Sequence, residues 1–480
     1  MEQKNTNFLK TELNNGEMSR EPFVYLFSNM MGYFCFDVNR NQVIELSKKA
    51  FNDLGYCIKR KDPKLLFQSA ELKRLASKGY LSGKHANKIE NFLTEFIPDY
   101  LDGNLKNLVL QVTQNCNMRC RYCIYSGSGT LSRKHEKKIM NWEIAKQAID
   151  FFAKHSYLSK RVEIGFYGGE PLLQFDLIKK CIAYCEDKFY NKEIMYSITT
   201  NGTIMTDEII DLFSKYNVHV MVSVDGPKDI HDLNRRLAST GKGTFDIVNN
   251  NLLKIKERNK NFFESVIINS VCEPDQDNFI IEDFFLKNDL FKDLCVRINK
   301  VSDTYLDENY DMTKEYICEM ETITFKSVLA TLLKKQCKIR NITSNKFQNI
   351  GMNFVELGEL PDKIHHGGGC MPGYLKTFVD IDGDIRPCEK VSEKSAHMII
   401  GNVFNGFNVN KIHKLLNIGR ITKQECLECW IVRHCNQCPA MIDDVDELSY
   451  NMKRNLCNLR ITEIQEELHD YVYYKKMGLI

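Results

Sequence analysis

From about residue 105 the chain alternates short apolar runs with stretches whose apolar residues recur every three or four positions. LKNLVLQVT, RVEIGFYG, EIMYSITT, VHVMVSVD, ESVIINSV and DLCVRINK read as six strands. Helical stretches fall between them near 141–154, 172–189, 206–216, 244–258 and 276–288. Strands that are apolar along most of their length, each followed by a helix, predict a parallel sheet covered on its faces. Six such units fit an open doubly wound sheet or an incomplete barrel, and in both the loops after the strand carboxyl ends carry the chemistry.

Either side of this region the pattern changes. Residues 20–100 form a smaller unit in which FVYLF, YFCFDV and QVIEL are strand-like and separated by Asn and Gly turns. KKAFNDLGYC and LLFQSAELKRLASKGYL follow as helices, which is the size of a winged-helix domain. Residues 104–302 hold the alternating core and 303–365 read as a helical connector. Residues 366–460 are rich in Gly, Cys and short strands, a separate cysteine-rich domain, and an amphipathic helix covers roughly 459–475 within the closing segment 461–480. No repeat of fixed period and no low-complexity tract interrupts this order.

Length and composition fit such a chain and narrow its class. The 480 residues suggest two to four folding units. Lys plus Arg total 65 against 63 Asp plus Glu, so no broad field draws the chain to nucleic acid or to an anionic membrane. No apolar run approaches the roughly 18 residues of a spanning helix, and MEQKNTNFLKTELNN lacks the apolar core of a secretory signal. The expectation is a soluble, cytoplasmic protein.

Cysteine changes the picture. There are 18, in a chain expected to sit among reduced thiols, so metal explains them better than disulfides. Ten fall in two groups: Cys116, Cys120 and Cys123, then Cys370, Cys388, Cys426, Cys429, Cys435, Cys438 and Cys457. The others, at 35, 57, 181, 185, 272, 295, 318 and 337, mostly lie among apolar residues and read as packing. The first group has the spacing C-x3-C-x2-C directly after the first core strand. Three thiolates do not close a structural zinc site, whereas on a [4Fe-4S] cluster they leave one iron open to a small molecule.

Three further polar or Gly-rich signatures end the next three strands: GGEP at 168–171, TNGT at 200–203 and DGP at 225–227. Spacing, strand context and order together resemble the radical S-adenosylmethionine (SAM) superfamily, which implies a partial (β/α)6 TIM-like barrel in which the methionine amino and carboxylate groups chelate the free iron. The resemblance further implies that Gly168, Gly169 and Glu170 hold the methionine amino group. Tyr122, Thr200, Asn201, Ser223 and Asp225 then line the remainder of the nucleotide. In the HDxxR stretch, His231, Asp232 and Arg235, it places Arg235 near the SAM carboxylate. Read alone, an Arg at the start of a surface helix is a solvated side chain.

The second group runs C-x12-G-x4-C through Gly383 and Cys388, then C-x2-C-x5-C-x2-C from Cys426 to Cys438, then Cys457. In isolation its paired short spacings are also a zinc-ribbon pattern. Its order resembles the SPASM domain, an extension with two auxiliary [4Fe-4S] clusters in peptide-modifying radical SAM enzymes, although the last short gap here is two residues where three is usual. By that resemblance Cys426, Cys429, Cys435 and Cys457 hold an outer cluster and Cys370, Cys388 and Cys438 an inner one, three clusters in all with the first. Two closed auxiliary clusters need eight protein ligands and the motif offers seven, so the inner cluster is expected to keep an open iron, which a substrate thiolate could fill. The amino-terminal unit resembles the element that recognises the leader of ribosomally made peptides, by strand addition to the edge of its sheet.

The resemblance as a whole is to radical SAM, SPASM-domain maturases of the sactipeptide and ranthipeptide type. These form a thioether from a substrate cysteine to a peptide carbon after the 5′-deoxyadenosyl radical removes a hydrogen. A Cys-rich precursor peptide with a leader and a one-electron reductant such as flavodoxin or ferredoxin are the implied partners. The competing expectations are a sulfatase-maturating enzyme that makes formylglycine, and a non-catalytic zinc-ribbon protein with its winged unit on DNA. No catalytic acid or base stands out from the sequence.

Overall fold

The structure is a computed structural model that describes residues 20–123, 125, 133–273, 276–301, 304–305, 314–333, 344–367 and 371–480. Three strands open it: β1 (Val24–Asn29), β2 (Gly32–Asp37) and β3 (Gln42–Leu46), an antiparallel meander in that order. Alternation sends Phe34 and Phe36 to one face and Cys35 to the other. The Cys35 face packs on the helices Lys48–Arg60 and Ala70–Ser77, while the Phe face packs on Phe354 and on Leu468, Tyr471 and Val472 of the last helix. Both faces are thereby covered, and among the described residues no further strand pairs with the outer edge of β1 or β3.

After the short β4 (Lys88–Ile89) come the six expected core strands: β5 (Asn107–Thr113), β6 (Arg161–Gly168), β7 (Glu193–Thr200), β8 (His219–Ser223), β9 (Ile267–Cys272) and β10 (Cys295–Lys300). All pair in parallel, each with its neighbour in sequence. The helices Trp142–Lys154, Phe175–Lys188, Asp207–Lys215, Phe245–Arg258 and Asn278–Lys287 occupy the intervals the periodicity marks. Several are started by their own caps: Asn141, Thr206 and Asp277 each accept a backbone N–H of the first turn. The strands supply the middle of one large apolar core, with Leu108, Leu110, Val112, Ile164, Phe166, Val220, Val222 and Ile268 almost fully buried. The α/β architecture with a parallel sheet is as expected.

The sheet continues beyond β5. After β11 (Lys363–Ile364), which pairs with β4, β12 (Thr377–Val379) adds in parallel to β5 through Thr377↔Leu108. The strands β13 (Asp384–Arg386), β14 (Gly401–Asn402) and β15 (Gly406–Phe407) extend it antiparallel, giving ten strands. The cysteine-rich part is therefore hydrogen-bonded to the core sheet.

The last helix, Tyr450–Lys476, starts nine residues before the amphipathic stretch suggests. Ser449 caps it by accepting the Met452 N–H, and its first turns turn Lys453 inward where an apolar residue would mark the pattern. Helices Lys314–Leu332 and Ser344–Asn353 both lie within the expected connector. Cys181 and Cys185 are buried in the core as expected, whereas Cys295 and Cys318 are exposed, and Cys337 lies outside the described residues. Among the described residues no helix is long and apolar enough to cross a membrane.

Candidate active site at the strand ends

The chain leaves β5 at Thr113 and forms the loop that carries Cys116, Cys120 and Cys123, all half-buried. The end of β6 lies directly against this loop: the Gly169 N–H donates to the Thr113 carbonyl at 3.0 Å and the Glu170 N–H to the Asn115 carbonyl at 2.9 Å. This approach explains two glycines. A Cβ on Gly168 would meet the Thr113 oxygen at 2.1 Å, and one on Gly169 the Asn115 oxygen at 2.2 Å; Gly168 also has φ +147°.

Glu170 follows, with no exposed surface. Its carboxylate accepts from the Thr200 hydroxyl at 2.7 Å, the Asn201 N–H at 2.7 Å and the Leu172 N–H at 3.1 Å. Burial pushes its carboxyl above the ordinary value against the lowering pull of those donors. In this state the acid ties the β6 end to the β7 end. Asn201 then reaches the cysteine loop, with its amide donating to Asn117 at 2.8 Å and lying 3.9 Å from the Cys116 sulfur.

From β8 come Ser223, buried at the strand end, and Asp225, with no exposed surface. The Asp225 carboxylate accepts from the Tyr122 hydroxyl at 2.8 Å and from Arg235 Nε at 3.0 Å, and the other Arg235 branch lies 3.9 Å from the Cys120 sulfur. Arg235 is thus a buried ion-pair partner just after the helix Lys228–Asn234, not the solvated side chain at a helix start that the residue read alone suggests. Burial opposes its charge, but Asp225 and the groups around it outweigh that and push its pKa up. The segment 234–238 lies along the cysteine loop: Arg121 N–H bonds the Asn234 carbonyl at 3.0 Å, Arg119 N–H the Arg236 carbonyl at 2.9 Å, and Ala238 N–H the Asn117 carbonyl at 2.9 Å. This pairing is what aims Arg235 at the cysteines.

His231 locks the same corner. The Asp225 N–H donates to its Nδ1 at 3.4 Å, so Nε2 carries the proton and bonds Thr244 Oγ1 at 3.0 Å. Burial first, then Arg235, pulls its pKa down to about 3. The folded state therefore binds fewer protons than the unfolded chain between the ordinary 6.5 and about 3, and stability falls as pH drops through that window. Melting temperatures measured across it should fall less steeply for His231→Gln than for the parent chain, even though other buried histidines contribute.

Burial pushes Cys116 up to about 11 and Cys120 to about 12, and Cys123 is close enough to add to both shifts. Without metal Cys116 and Cys120 are thiols, so binding would release protons. Among the described residues no three His, Cys, Asp or Glu side chains are gathered as a ready metal site. The donor chemistry nevertheless fits: three soft sulfurs on one short loop, one beside a buried guanidinium, with polar groups from three strand ends around them.

In the cysteine-rich part, Cys426, Cys435 and Cys457 lie near enough to Cys429 to act on its charge, without closing into a metal-ligating group. Cys429 is pushed up to about 12 by burial, with Cys426, Cys435 and Cys457 adding to the shift. Cys426 and Cys435 are raised for the same reasons. Cys388 and Cys438 pack against the main core, whereas Cys429 and Cys435 belong to a small separate apolar cluster. Cys370 lies outside the described residues. Residues with no motif signal connect the regions. Glu393, near Cys388 in sequence, bonds Arg133 at 2.7 Å, Gln114 at 2.6 Å and Gln111, and the Tyr125 hydroxyl donates to the Glu389 carbonyl at 3.1 Å. Contacts between residues more than 250 positions apart leave no mark in periodicity; only the concentration of polar residues after β5 hints at them.

Residues 110–285 match the model of the radical SAM superfamily. That is the class the strand-end site defines: this segment is a radical SAM domain. Among curated relatives, the uncharacterized protein MJ0907 of Methanocaldococcus jannaschii is 36% identical over 30% of this chain and 47% of its own length, so under half of that protein is matched. The radical SAM cyclopropyl synthase TigE of Paramaledivibacter caminithermalis is 24% identical over 69% of this chain and 67% of its own length. The cysteine-type anaerobic sulfatase-maturating enzyme of Clostridium perfringens strain 13 is 24% identical over 72% and 93%. The solved structure of native anSMEcpe with bound AdoMet and Cp18Cys peptide shares the fold, with a TM-score of 0.55 at 20% identity over 78% of this chain and 98% of that one.

Proposed function

We propose that the chain is a radical SAM enzyme that modifies a ribosomally made, Cys-rich peptide by forming thioether crosslinks. The observation that carries the reading is the convergence of Cys116, Cys120 and Cys123 with the Glu170–Asn201 and Asp225–Arg235–Tyr122 networks on one rim of strand ends. In this reading the three thiolates hold a [4Fe-4S] cluster with one open iron, and Arg235 offers its guanidinium to the SAM carboxylate. Glu170, through Thr200 and Asn201, keeps the wall of the nucleotide site in place. SAM and the cluster, when bound, supply the hydrogen-abstracting chemistry.

Cys426, Cys429, Cys435 and Cys457 hold a closed auxiliary cluster, and Cys370, Cys388 and Cys438 one with an open iron that a substrate thiolate can reach. The amino-terminal meander takes the leader: with both faces covered, its strand edges are what it has to offer, which suits strand addition. The sulfatase-maturating activity named for the Clostridium perfringens relative makes a peptide or protein substrate the natural class.

In a crosslink one C–H and one S–H bond break and one C–S bond forms, so two hydrogens leave and one thiol is consumed. Coexpression with a short Cys-rich peptide encoded beside the chain should yield a product lighter by two hydrogens per crosslink, with one fewer alkylatable cysteine for each. Loss of the hydrogens with every thiol still alkylatable favours oxidation of the formylglycine type or ring closure. An unchanged peptide despite SAM cleavage counts against this substrate class.

A further inference from the structure

Lys453 is 1% exposed, one helical turn before Cys457. Its ammonium donates to Gln437 Oε1 at 2.7 Å and lies 3.2 Å from His366 Nε2. Among the described residues no carboxylate comes within ion-pair reach of it. A buried cation without an anion costs several kcal/mol, so a position of this kind is normally filled by Leu or Met. Its two partners do not compensate the charge. Gln437 is neutral, and the His366 imidazole carries no negative charge in either protonation state.

The Glu425 carboxylate feels Lys453 from beyond ion-pair distance but is engaged with Tyr450 and Arg454, so the buried groups left to balance Lys453 are the sulfurs. The Cys457 thiol sits one turn further along the same helix and donates to the Lys453 carbonyl at 3.5 Å. Gln437, fixed by its own bond to the Lys453 carbonyl at 3.3 Å, places its amide 3.8 Å from the Cys457 sulfur. As thiols these four cysteines offer nothing negative. As thiolates on an iron–sulfur core they carry net negative charge, one unit larger after reduction.

We propose that Lys453 is a built-in counter-ion for an anionic cluster on Cys426, Cys429, Cys435 and Cys457, and that its charge favours the reduced form of that cluster. The inference rests on the ligand reading above and adds a tuning residue to it. Lys453 touches neither substrate nor reacting atoms; it acts through the field at the sulfurs, strengthened by a dry surrounding.

The test uses the full chain with Cys116, Cys120 and Cys123 changed to Ala, so that only auxiliary clusters remain, followed by redox titration under anaerobic electron paramagnetic resonance. Lys453→Met should make one reduction equilibrium at least tenfold less favourable, about 59 mV for one electron. Lys453→Arg should leave it within about threefold, which is under 30 mV by the same constant. Loss of about four irons in Lys453→Met but not in Lys453→Arg also supports the proposal, because charge is then needed for assembly. Unchanged midpoints with full iron in Lys453→Met overturn it while the ligand reading stands. Equal iron loss in both variants overturns it in favour of packing. A parent background that binds zinc and no iron sinks the ligand reading itself.

Discussion

Replacing Cys120 by Ala should abolish formation of 5′-deoxyadenosine and lower the iron content by about four per chain, while the other clusters stay in place. Cys120 is the middle ligand of the proposed open-iron cluster and the sulfur that faces the Arg235 guanidinium, 3.9 Å away. Two thiolates cannot hold the cluster in a site whose other polar groups are already engaged with one another. Anaerobic iron analysis with chromatographic measurement of SAM cleavage checks both halves. Persistent cleavage in this variant would remove the cluster from Cys120.

The second large effect concerns Arg235. Its side chain is 7% exposed and that of Asp225 has no exposure, so the pair is shielded from solvent screening. Arg235→Met leaves the Asp225 charge with only Tyr122, the Val271 N–H and distant dipoles, and breaking one side of a buried pair costs about 3–5 kcal/mol. A large drop in melting temperature should follow. The double variant Asp225→Asn with Arg235→Met should recover much of that loss, because the uncompensated charge is gone. Neither variant should bind SAM with the parent affinity, since the cation proposed to meet its carboxylate is missing in both. Recovery of SAM binding in the double variant would show that Arg235 serves the fold alone.

What could be read from the chain and what could not follows from where the information lies. The six core strands and their helices are legible because a strand buried on both faces, such as VHVMVSVD, is a short unbroken apolar run, and the intervening helices repeat at 3.6. The strand-end motifs are legible because Gly168 and Gly169 answer a local demand, the approach of β6 to the cysteine loop. The start of the last helix is hidden because Lys453 faces inward. The pairing of 234–238 with the cysteine loop, which turns Arg235 from an apparently solvated side chain into part of the site, is a contact across more than 100 residues and has no periodic trace. The same holds for Glu393 beneath the cysteine loop and for the joining of β12 to β5.

The reading of the amino-terminal unit gains from its packing. Phe27 and Phe34 share a core with Tyr471 and Val472 of the helix that carries Cys457, and Tyr25 stacks on Trp430, next to Cys429, with ring centroids 4.1 Å apart. A peptide bound along β1 would lie beside a side chain that adjoins the outer cysteine set. This gives the amino-terminal unit a fixed position relative to the cysteines, where a flexible tether would leave it free.

The most direct test is anaerobic reconstitution of the intact chain with iron and sulfide, followed by a strong reductant and SAM. The account predicts a brown protein with about twelve irons per chain that converts SAM to 5′-deoxyadenosine. A colourless protein that retains zinc and leaves SAM whole would contradict it.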